Sequence, residues 1–433
     1  MSYKYIKILL LCSALAGCSS VSLAPIFNDC AAAPALCAPV PANTTGATAT
    51  TAPVAKEAAV PQPVPPPVPE VATSSVAPPS VTVLAQQEAH PIRIALLLPL
   101  HSETLGRAAE AVRAGFMAAH ARDQEGVTVS VISTSTIASE TLSAYNEAQA
   151  AHDVIVGPLS RSSVAAVANS AQVRIPTIAL NQPLPVAPLP PKMLAMGLSI
   201  EDEARQVATW ASHEHPGASA FVIGSNIAWQ RRVAKAFATE WQRLGLPSQS
   251  MELAVSDGYL NANGLAQLRT RLQNEQPALL LVSMDAGLTR QLRQAIGTDI
   301  PVYGTSQLNP FVNPASVAAI DNGESIVDPL FEGVHLVDMP WQLQPDHPAV
   351  MAYPRLITGV DRKDNPDLER LYALGIDAYR VAHQIALAQE QFEIDGVTGR
   401  LTVSFGHGQA GIDRIVPQAV YQDGAMLLLP GMR

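Results

Sequence analysis

The chain has 433 residues, of which 48% are apolar, 5% aromatic and 15% charged, and its formal net charge is −10. An acidic chain without a block of Lys and Arg lacks the electrostatic signature of a nucleic-acid-binding protein. No apolar run reaches the roughly 18 residues that a membrane-spanning helix requires, which argues against a polytopic membrane protein.

The first element along the chain has the pattern of an export signal. Lys4 and Lys7 precede the apolar run 8–16, which ends in Leu-Ala-Gly-Cys at 15–18. This ending resembles the lipobox of bacterial lipoproteins, in which the thiol of Cys18 carries the lipid. A serine follows the cysteine, which is typical of sorting to the outer membrane. We expect a signal peptide over 1–17 and a lipid-anchored protein on the periplasmic face of the outer membrane; a plain signal peptide with an incidental cysteine is the alternative.

Residues 18–90 have the composition of a linker. They contain thirteen prolines and five charged residues, with Ala, Thr, Val and Ser filling most of the rest. Such a segment buries too little apolar area to offset its ordering entropy, so it is predicted to be a disordered spacer. A proline-rich recognition ligand is the alternative. Cys30 and Cys37 are close enough in sequence for a local disulfide in an oxidising compartment, although free thiols remain possible.

From residue 91 onward, short apolar runs alternate with helical patterns. Continuous apolar runs are typical of parallel strands buried on both faces, and this alternation predicts a doubly wound α/β fold. One helix is expected to begin after Ser199, where three acidic residues complement the helix dipole, and another at Asn365-Pro366. The predicted strands are 92–98, 127–132, 154–156, 175–180, 220–223, 251–255, 279–282 and 301–304, followed by closing strands at 400–405 and 414–421.

The 343 residues from 91 to 433 are too many for one open sheet, and two lobes fit better. We expect the first lobe to contain about 91–198 plus 335–392, and the second about 199–334 plus 393–433. Several crossovers would join them, with a cleft between.

Six segments carry a resemblance to a known family. The chain resembles the LppC-type lipoproteins, the penicillin-binding protein activators, whose main domain is similar to a type I periplasmic solute-binding protein. The most specific parts of the resemblance are 338–341 and 370–380. The segments are 94–100, 154–159, 201–206, 337–341, 370–380 and 398–401.

The resemblance implies an outer-membrane lipoprotein that binds and activates a class A peptidoglycan synthase without doing chemistry itself. Better-known members carry a helical-repeat domain between the lipid anchor and the two-lobed domain. In this sequence the proline-rich linker stands in that place.

Enzymatic motifs are missing or lack their context. None of the six lysines has a serine three residues before it, which excludes the Ser-x-x-Lys site of penicillin-binding enzymes. The Gly-x-Gly-x-x-Gly match at 406–411 is followed by a strand pattern rather than a helix, so it predicts a hairpin turn and no nucleotide site. The sequence His-Glu-His at 213–215 has no third ligand nearby. We expect no catalytic residue, cofactor or metal.

Polar residues at predicted strand ends are candidates for a small-ligand site in the interlobe cleft. Hydroxyls and amides at a helix start suit a carboxylate, and Asp285 in the other lobe suits an ammonium group. Helix capping alone is the alternative explanation for Ser160 and Asp285. Trp341 is either an interface anchor or a packing residue. The candidate cleft contacts are Ser102, Ser160, Ser162, Asn181, Asp285, Thr305 and Ser306.

Overall fold

The computed structural model describes residues 91–430, except for 171, 185–187, 313–326, 357–366 and 407–409. The predicted signal peptide, the linker, Cys18, Cys30, Cys37 and the Asn365-Pro366 cap lie outside the described residues. The described residues belong to one compact unit.

Within the described residues, seventeen strands form two large sheets and two small ones. The strands are β1 (Ile92–Leu98), β2 (Val127–Ser133), β3 (Val154–Val156), β4 (Thr177–Ala179), β5 (Met193–Ala195), β6 (Ala220–Ser225), β7 (Ser248–Leu253), β8 (Val255–Ser256), β9 (Tyr259–Leu260), β10 (Leu279–Val282), β11 (Val302–Gly304), β12 (Val334–Val337), β13 (Gln391–Asp395), β14 (Arg400–Ser404), β15 (Gly411–Ile415), β16 (Gln418–Gln422) and β17 (Ala425–Leu428).

The first large sheet has five parallel strands in the order β2-β1-β3-β4-β5. The second has seven strands in the order β17-β16-β12-β11-β10-β6-β7; it is parallel from β12 to β7, and β16 and β17 are antiparallel. Strands β13, β14 and β15 form an antiparallel sheet, and β8 and β9 a short ribbon.

Ten helices accompany these strands in the described part of the chain. They are α1 (Gly106–Arg122), α2 (Ala138–Gln149), α3 (Arg161–Asn169), α4 (Ile200–Glu214), α5 (Ala228–Arg243), α6 (Ala262–Glu275), α7 (Ala286–Ile296), α8 (Pro340–Leu343), α9 (Pro348–Met351) and α10 (Asp367–Ala386).

Each large sheet is covered by helices on both faces. In the first lobe, alternate residues of β1 pack in opposite directions: Leu96 joins the core formed with α1 and α10, and Leu97 the core formed with α2 and α3. In the second lobe, Val222 of β6 packs with α4 and α5, and Ile223 packs with α6 and α7. Successive strand residues point to opposite faces of the sheet, and both faces are apolar and covered by helices. The predicted doubly wound, two-lobed α/β fold is therefore confirmed.

Most predicted strands lie where the sequence places them, with the clearest differences near the C-terminus. Strands β1, β3 and β10 match their predicted bounds, and α4 begins after Ser199, whose hydroxyl accepts a hydrogen bond from the Asp202 amide. The predicted strand 414–421 is instead two strands. The chain leaves the small sheet at Val416-Pro417 and enters the seven-stranded sheet, and a proline at this break has no amide hydrogen to donate to a ladder.

The chain crosses between the lobes three times, at 196–199, 338–339 and 416–417. The structure draws the lobe boundaries differently from the sequence expectation. Strand β12 (Val334–Val337) pairs within the second sheet, whereas β13 and β14 pack on the first core through Ile394, Leu401 and Val403. Short apolar runs do not reveal which of two sheets they join, because that choice depends on pairing partners far away in sequence.

Candidate functional site

The two strongest cleft candidates cap helices. The Ser160 hydroxyl accepts a hydrogen bond from the amide of Ser163 at the start of α3, and the Asp285 carboxylate accepts one from the amide of Leu288 at the start of α7. Ser162 is exposed and lies 3.3 Å from Ser160, oxygen to oxygen. The capping explanation of Ser160 and Asp285 is therefore confirmed.

Two of the remaining cleft candidates form hydrogen bonds with other parts of the chain. The Asn181 amide donates to the carbonyl oxygen of Leu159 at 3.1 Å, and the Ser102 hydroxyl accepts from the amide of Leu105 at 3.1 Å. Ser306 and Thr305 are buried beside the lobe junction. None of the seven candidates lines the cavity of about 460 Å³ that lies where the chain crosses between the lobes.

A buried ion pair lies at the second crossover. The guanidinium of Arg370, from α10, donates to the Asp338 carboxylate at 2.7 Å, and the two side chains are only 7% and 1% exposed. The Asn309 amide donates to the same carboxylate oxygen at 2.9 Å, and the Met339 amide donates to the other at 2.9 Å. These donors compensate the Asp338 carboxylate for its loss of contact with water. Without the Arg370 cation, the buried negative charge would lower the stability of the fold.

Ser306 links the ion pair to Glu203, which lies in the first turn of α4, just after the first crossover. The Ser306 carbonyl oxygen accepts from Arg370 at 3.2 Å, and the Ser306 amide donates to the Glu203 carboxylate of α4 at 2.9 Å. Glu203, Ser306, Asn309, Asp338 and Arg370 are called the junction network below. It connects α4 of the second lobe with α10 of the first.

The acidity of Glu203, a member of the junction network, is altered by its surroundings. Burial, together with the negative charge of Asp338, raises the pKa of Glu203 from 4.5 to about 7. The Ser306 amide and the positive charge of Arg370 act in the opposite direction. Glu203 therefore changes its protonation state near neutral pH, at a position where the two lobes meet.

A second carboxylate holds the loop between β13 and β14. Asp377 of α10 is fully buried and accepts from the amides of Val397 and Thr398 at 3.1 and 2.7 Å, and from the Thr398 hydroxyl at 2.7 Å. A Cβ atom added at Gly396 would lie 2.6 Å from this carboxylate. The loop is thus fitted closely to Asp377, which explains an acidic residue inside an apolar helix face.

Trp341 is a packing residue in this structure. It is fully buried, its indole nitrogen donates to the Glu369 carboxylate at 2.7 Å, and the Arg355 guanidinium lies 4.3 Å from the ring centroid. These contacts are those of a packing residue, and the indole has no exposed surface in this structure.

A cavity of about 460 Å³ lies among the three crossovers. Arg414 lines it and donates to the carbonyl oxygens of Gly197 and Met196 at 2.8 and 3.3 Å, and burial lowers the pKa of this guanidinium. Gln206 of α4 donates to the Arg414 carbonyl at 2.9 Å and accepts from the Val416 amide at 3.1 Å. These contacts tie the third crossover to the first, so the cavity is part of the junction.

The contacts of the junction network and of the cavity beside it join the two lobes. Within the described ranges, no group of three or more His, Cys, Asp or Glu residues is placed to hold a metal ion, and no helix is both long and apolar enough to cross a membrane. The His-Glu-His segment is engaged with the second lobe, since Glu214 accepts from the Trp210 indole at 2.7 Å and His215 lies 3.0 Å from the Tyr303 hydroxyl.

Sequence reasoning missed the junction network, although a signal was present. Glu203 precedes Val207 and Ala211 by four and eight residues, so it shares the buried stripe of α4. Asp338 and Arg370 both stand in segments that carry the family resemblance. Acidic and basic residues in phase with apolar stripes would have indicated buried partners, but not which residues pair.

Known proteins resemble this chain in sequence and in fold. The penicillin-binding protein activator LpoA of Edwardsiella piscicida is 27% identical over 310 residues, which cover 64% of this chain and 43% of that protein. The chain therefore spans less than half the length of this relative. A structure described as a putative branched-chain amino acid ABC transporter from Chromobacterium violaceum has 34% identity and a TM-score of 0.61, covering 76% of this chain and 100% of that one.

The C-domain of LpoA from Haemophilus influenzae, described as a regulator of PBP1A, has 22% identity and a TM-score of 0.60 over 78% of this chain and 100% of that one. At this identity the likeness concerns the fold alone. The family described as "LppC putative lipoprotein" matches residues 67–424. This match covers most of the sequence, and the chain therefore belongs to the LppC family.

Proposed function

We propose that this protein is a non-enzymatic activator of a class A peptidoglycan synthase. The observation that carries the proposal is the family match over 67–424, together with a relative named as a penicillin-binding protein activator. The family match includes nearly all of the two-lobed domain. The junction network supports the proposal, because it fixes the relative orientation of two lobes that would together present a binding surface.

Activation needs no chemistry in this chain. A protein that binds the active state of the synthase more tightly than its inactive state shifts the equilibrium toward activity. Coupling of this kind is typically worth about 1–3 kcal/mol, or roughly 5- to 150-fold. Ser160 and Asp285, the side chains that would suit the carboxylate and ammonium groups of an amino acid, are already engaged as helix caps, which favours this mode over receptor function.

The N-terminal region would supply location and reach. We propose that Cys18 carries the lipid that anchors the protein in the outer membrane, and that residues 19–90 act as a spacer toward the synthase. A chain of this length would span roughly 40–50 Å as a random coil.

The proposal is tested with the full chain, purified in detergent with a class A synthase of the same cell. Glycan-strand polymerisation and peptide cross-linking are measured with and without the chain, and we expect at least about a fivefold acceleration of one activity. Neither binding nor acceleration with any class A synthase of the cell would overturn the proposal.

The spacer is tested separately by deleting residues 61–90. We expect lost function in the cell and unchanged binding to the purified synthase, because only reach has changed. The matched control replaces 61–90 by a Gly/Ser segment of equal length, which should restore function. Full cellular function of the deletion would contradict the spacer role without touching the activator proposal.

A further inference from the structure

The three crossovers between the lobes form one hinge region. The first two, 196–199 and 338–339, each begin directly after the last residue of a parallel strand, β5 and β12. The third, 416–417, is bound to the first, since the Arg414 guanidinium donates to the Gly197 carbonyl oxygen at 2.8 Å. Two-lobed proteins change the angle between their lobes at a few loop residues of this kind. A change in lobe orientation would therefore act on these three segments.

Glu203 lies beside all three crossovers. It lines the cavity of about 460 Å³ together with Leu198, Met339 and Val416, which are one residue from each crossover. Its carboxylate accepts a hydrogen bond from the Ser306 amide at 2.9 Å. A small movement of the lobes would thus change the access of water to this carboxylate.

Two carboxylates of the junction network share one guanidinium. Arg370 donates directly to Asp338 at 2.7 Å and is joined to Glu203 through Ser306. Burial and the negative charge of Asp338 raise the pKa of Glu203 to about 7. An ionised Glu203 is therefore stabilised by any movement that hydrates it or takes it farther from Asp338.

The other charges on α4 are compensated locally. Asp202 forms an exposed ion pair with Arg205 of the same helix, and Glu201 pairs with Arg232 of α5 at 2.7 Å. These pairs add little net charge beside Glu203.

The charges from the first lobe and from the third crossover partly cancel. Asp413 and Arg414 line the same cavity and have opposite signs. Asp367, which is 66% exposed, lies 3.4 Å from Arg370. The two arginines favour the ionised form of Glu203, so they limit its response to pH without abolishing it.

We propose that the lobe junction is a proton-controlled hinge. With Glu203 protonated, the lobes are held in the arrangement described above, and ionisation of Glu203 favours a more open junction in which water reaches its carboxylate. The proton then acts as a ligand that binds one conformation more tightly than the other and shifts the equilibrium between them. The inference concerns the folded chain and does not rest on the proposed function.

The direction and size of the response follow from linkage. The closed junction binds the proton more tightly, so it is favoured at low pH and opens as pH rises through about 7. If Glu203 regains a pKa near its ordinary value when the junction opens, the ratio of open to closed molecules should rise about five- to tenfold between about pH 6 and pH 8.

The test is amide hydrogen exchange of the full chain in detergent at about pH 6 and pH 8, with each rate divided by that of the unfolded chain at the same pH. The amides of Met339 and Val416 report on the second and third crossovers, since they donate to Asp338 and Gln206. We expect their protection to fall about five- to tenfold from the lower to the higher pH, while β1 and β6 keep theirs. Unchanged protection at both crossovers, or an equal loss in β1 and β6, would overturn the proposal.

Two variants assign the response to one carboxylate. Glu203→Gln keeps a neutral acceptor for the Ser306 amide and should retain at pH 8 the protection seen at pH 6. Asp202→Asn is the matched control, because this carboxylate lines the same cavity but is 51% exposed; it should keep the pH dependence of the parent. A pH response that persists in Glu203→Gln, or is lost in Asp202→Asn, would contradict the assignment. The profile of the parent chain tests the hinge even if Glu203→Gln does not fold.

Discussion

In both lobes helices cover the two faces of a sheet, but the helices come from differently spaced parts of the chain. The first sheet is parallel throughout and is covered on one face by α1 and α10, two helices separated by more than 240 residues. The second sheet is covered by α4 to α7, which follow one another in sequence, and is completed by the antiparallel strands β16 and β17. The first lobe thus depends on chain that returns from the second, and its stability is tied to the junction.

The helix contacts differ as well. In the first lobe α1 and α10 approach so closely that a Cβ atom at Gly375 would lie 2.1 Å from the Val112 carbonyl oxygen. In the second lobe α4 and α5 pack through larger side chains, including Trp210, Phe237 and Trp241. Glycine at the helix crossing makes the first lobe intolerant of added volume, whereas the second lobe relies on aromatic side chains.

The largest expected loss of stability comes from breaking the ion pair between Arg370 and Asp338, which joins the two lobes. Arg370→Ala leaves the Asp338 carboxylate buried without its cation and should lower the free energy of unfolding by about 3–5 kcal/mol in urea denaturation. Arg93→Ala is the matched control; its ion pair with Asp153 is exposed, at 51% and 45%, and should be worth about 0–1 kcal/mol. Equal losses for the two variants would contradict a structural role of the junction network.

The next effect tests the close helix crossing of the first lobe. Gly375→Ala inserts a methyl group against backbone atoms that cannot rotate away, so we expect a loss of about 1–3 kcal/mol or more in the free energy of unfolding. At Gly411 no atom lies within 4 Å of an added Cβ, so Gly411→Ala should be neutral. A neutral Gly375→Ala would show that the helices can separate at little cost.

Glu203 provides a pH-dependent test of the junction. Because its folded pKa of about 7 exceeds its ordinary value of 4.5, the folded state binds more protons between these pH values. Its ionisation therefore lowers stability as pH rises from about 4.5 to about 7, by about 1–2 kcal/mol after allowance for its partial exposure. Glu203→Gln should lack this decline in urea denaturation at about pH 4.5 and pH 8. Parallel pH profiles for parent and variant would refute the assignment.

The smallest effects compare the helix caps of the two lobes. Ser160→Ala in the first lobe and Asp285→Ala in the second should each cost about 1 kcal/mol in the free energy of unfolding. Ser162→Ala, at an exposed hydroxyl that caps no helix, should change stability little. A cap variant that leaves stability unaltered would reopen a ligand role for that residue.

Much of the fold could be predicted because it depends on local patterns. Apolar runs bounded β1, β3 and β10, and the Ser199 cap with its acidic first turn located α4. The caps at Ser160 and Asp285 were recognisable for the same reason, since a side chain and an amide three residues apart need no information from elsewhere. The family resemblance, also local in its segments, is confirmed.

The sequence did not indicate which strands and side chains pair when they are far apart along the chain. Whether β12 joins the first or the second sheet, that Trp341 is buried, and that Glu203 meets Asp338 and Arg370 all depend on residues more than 25 positions apart. Local patterns determine secondary structure because helices and strands repeat over a few residues; burial and charge pairing are decided only when distant segments pack together.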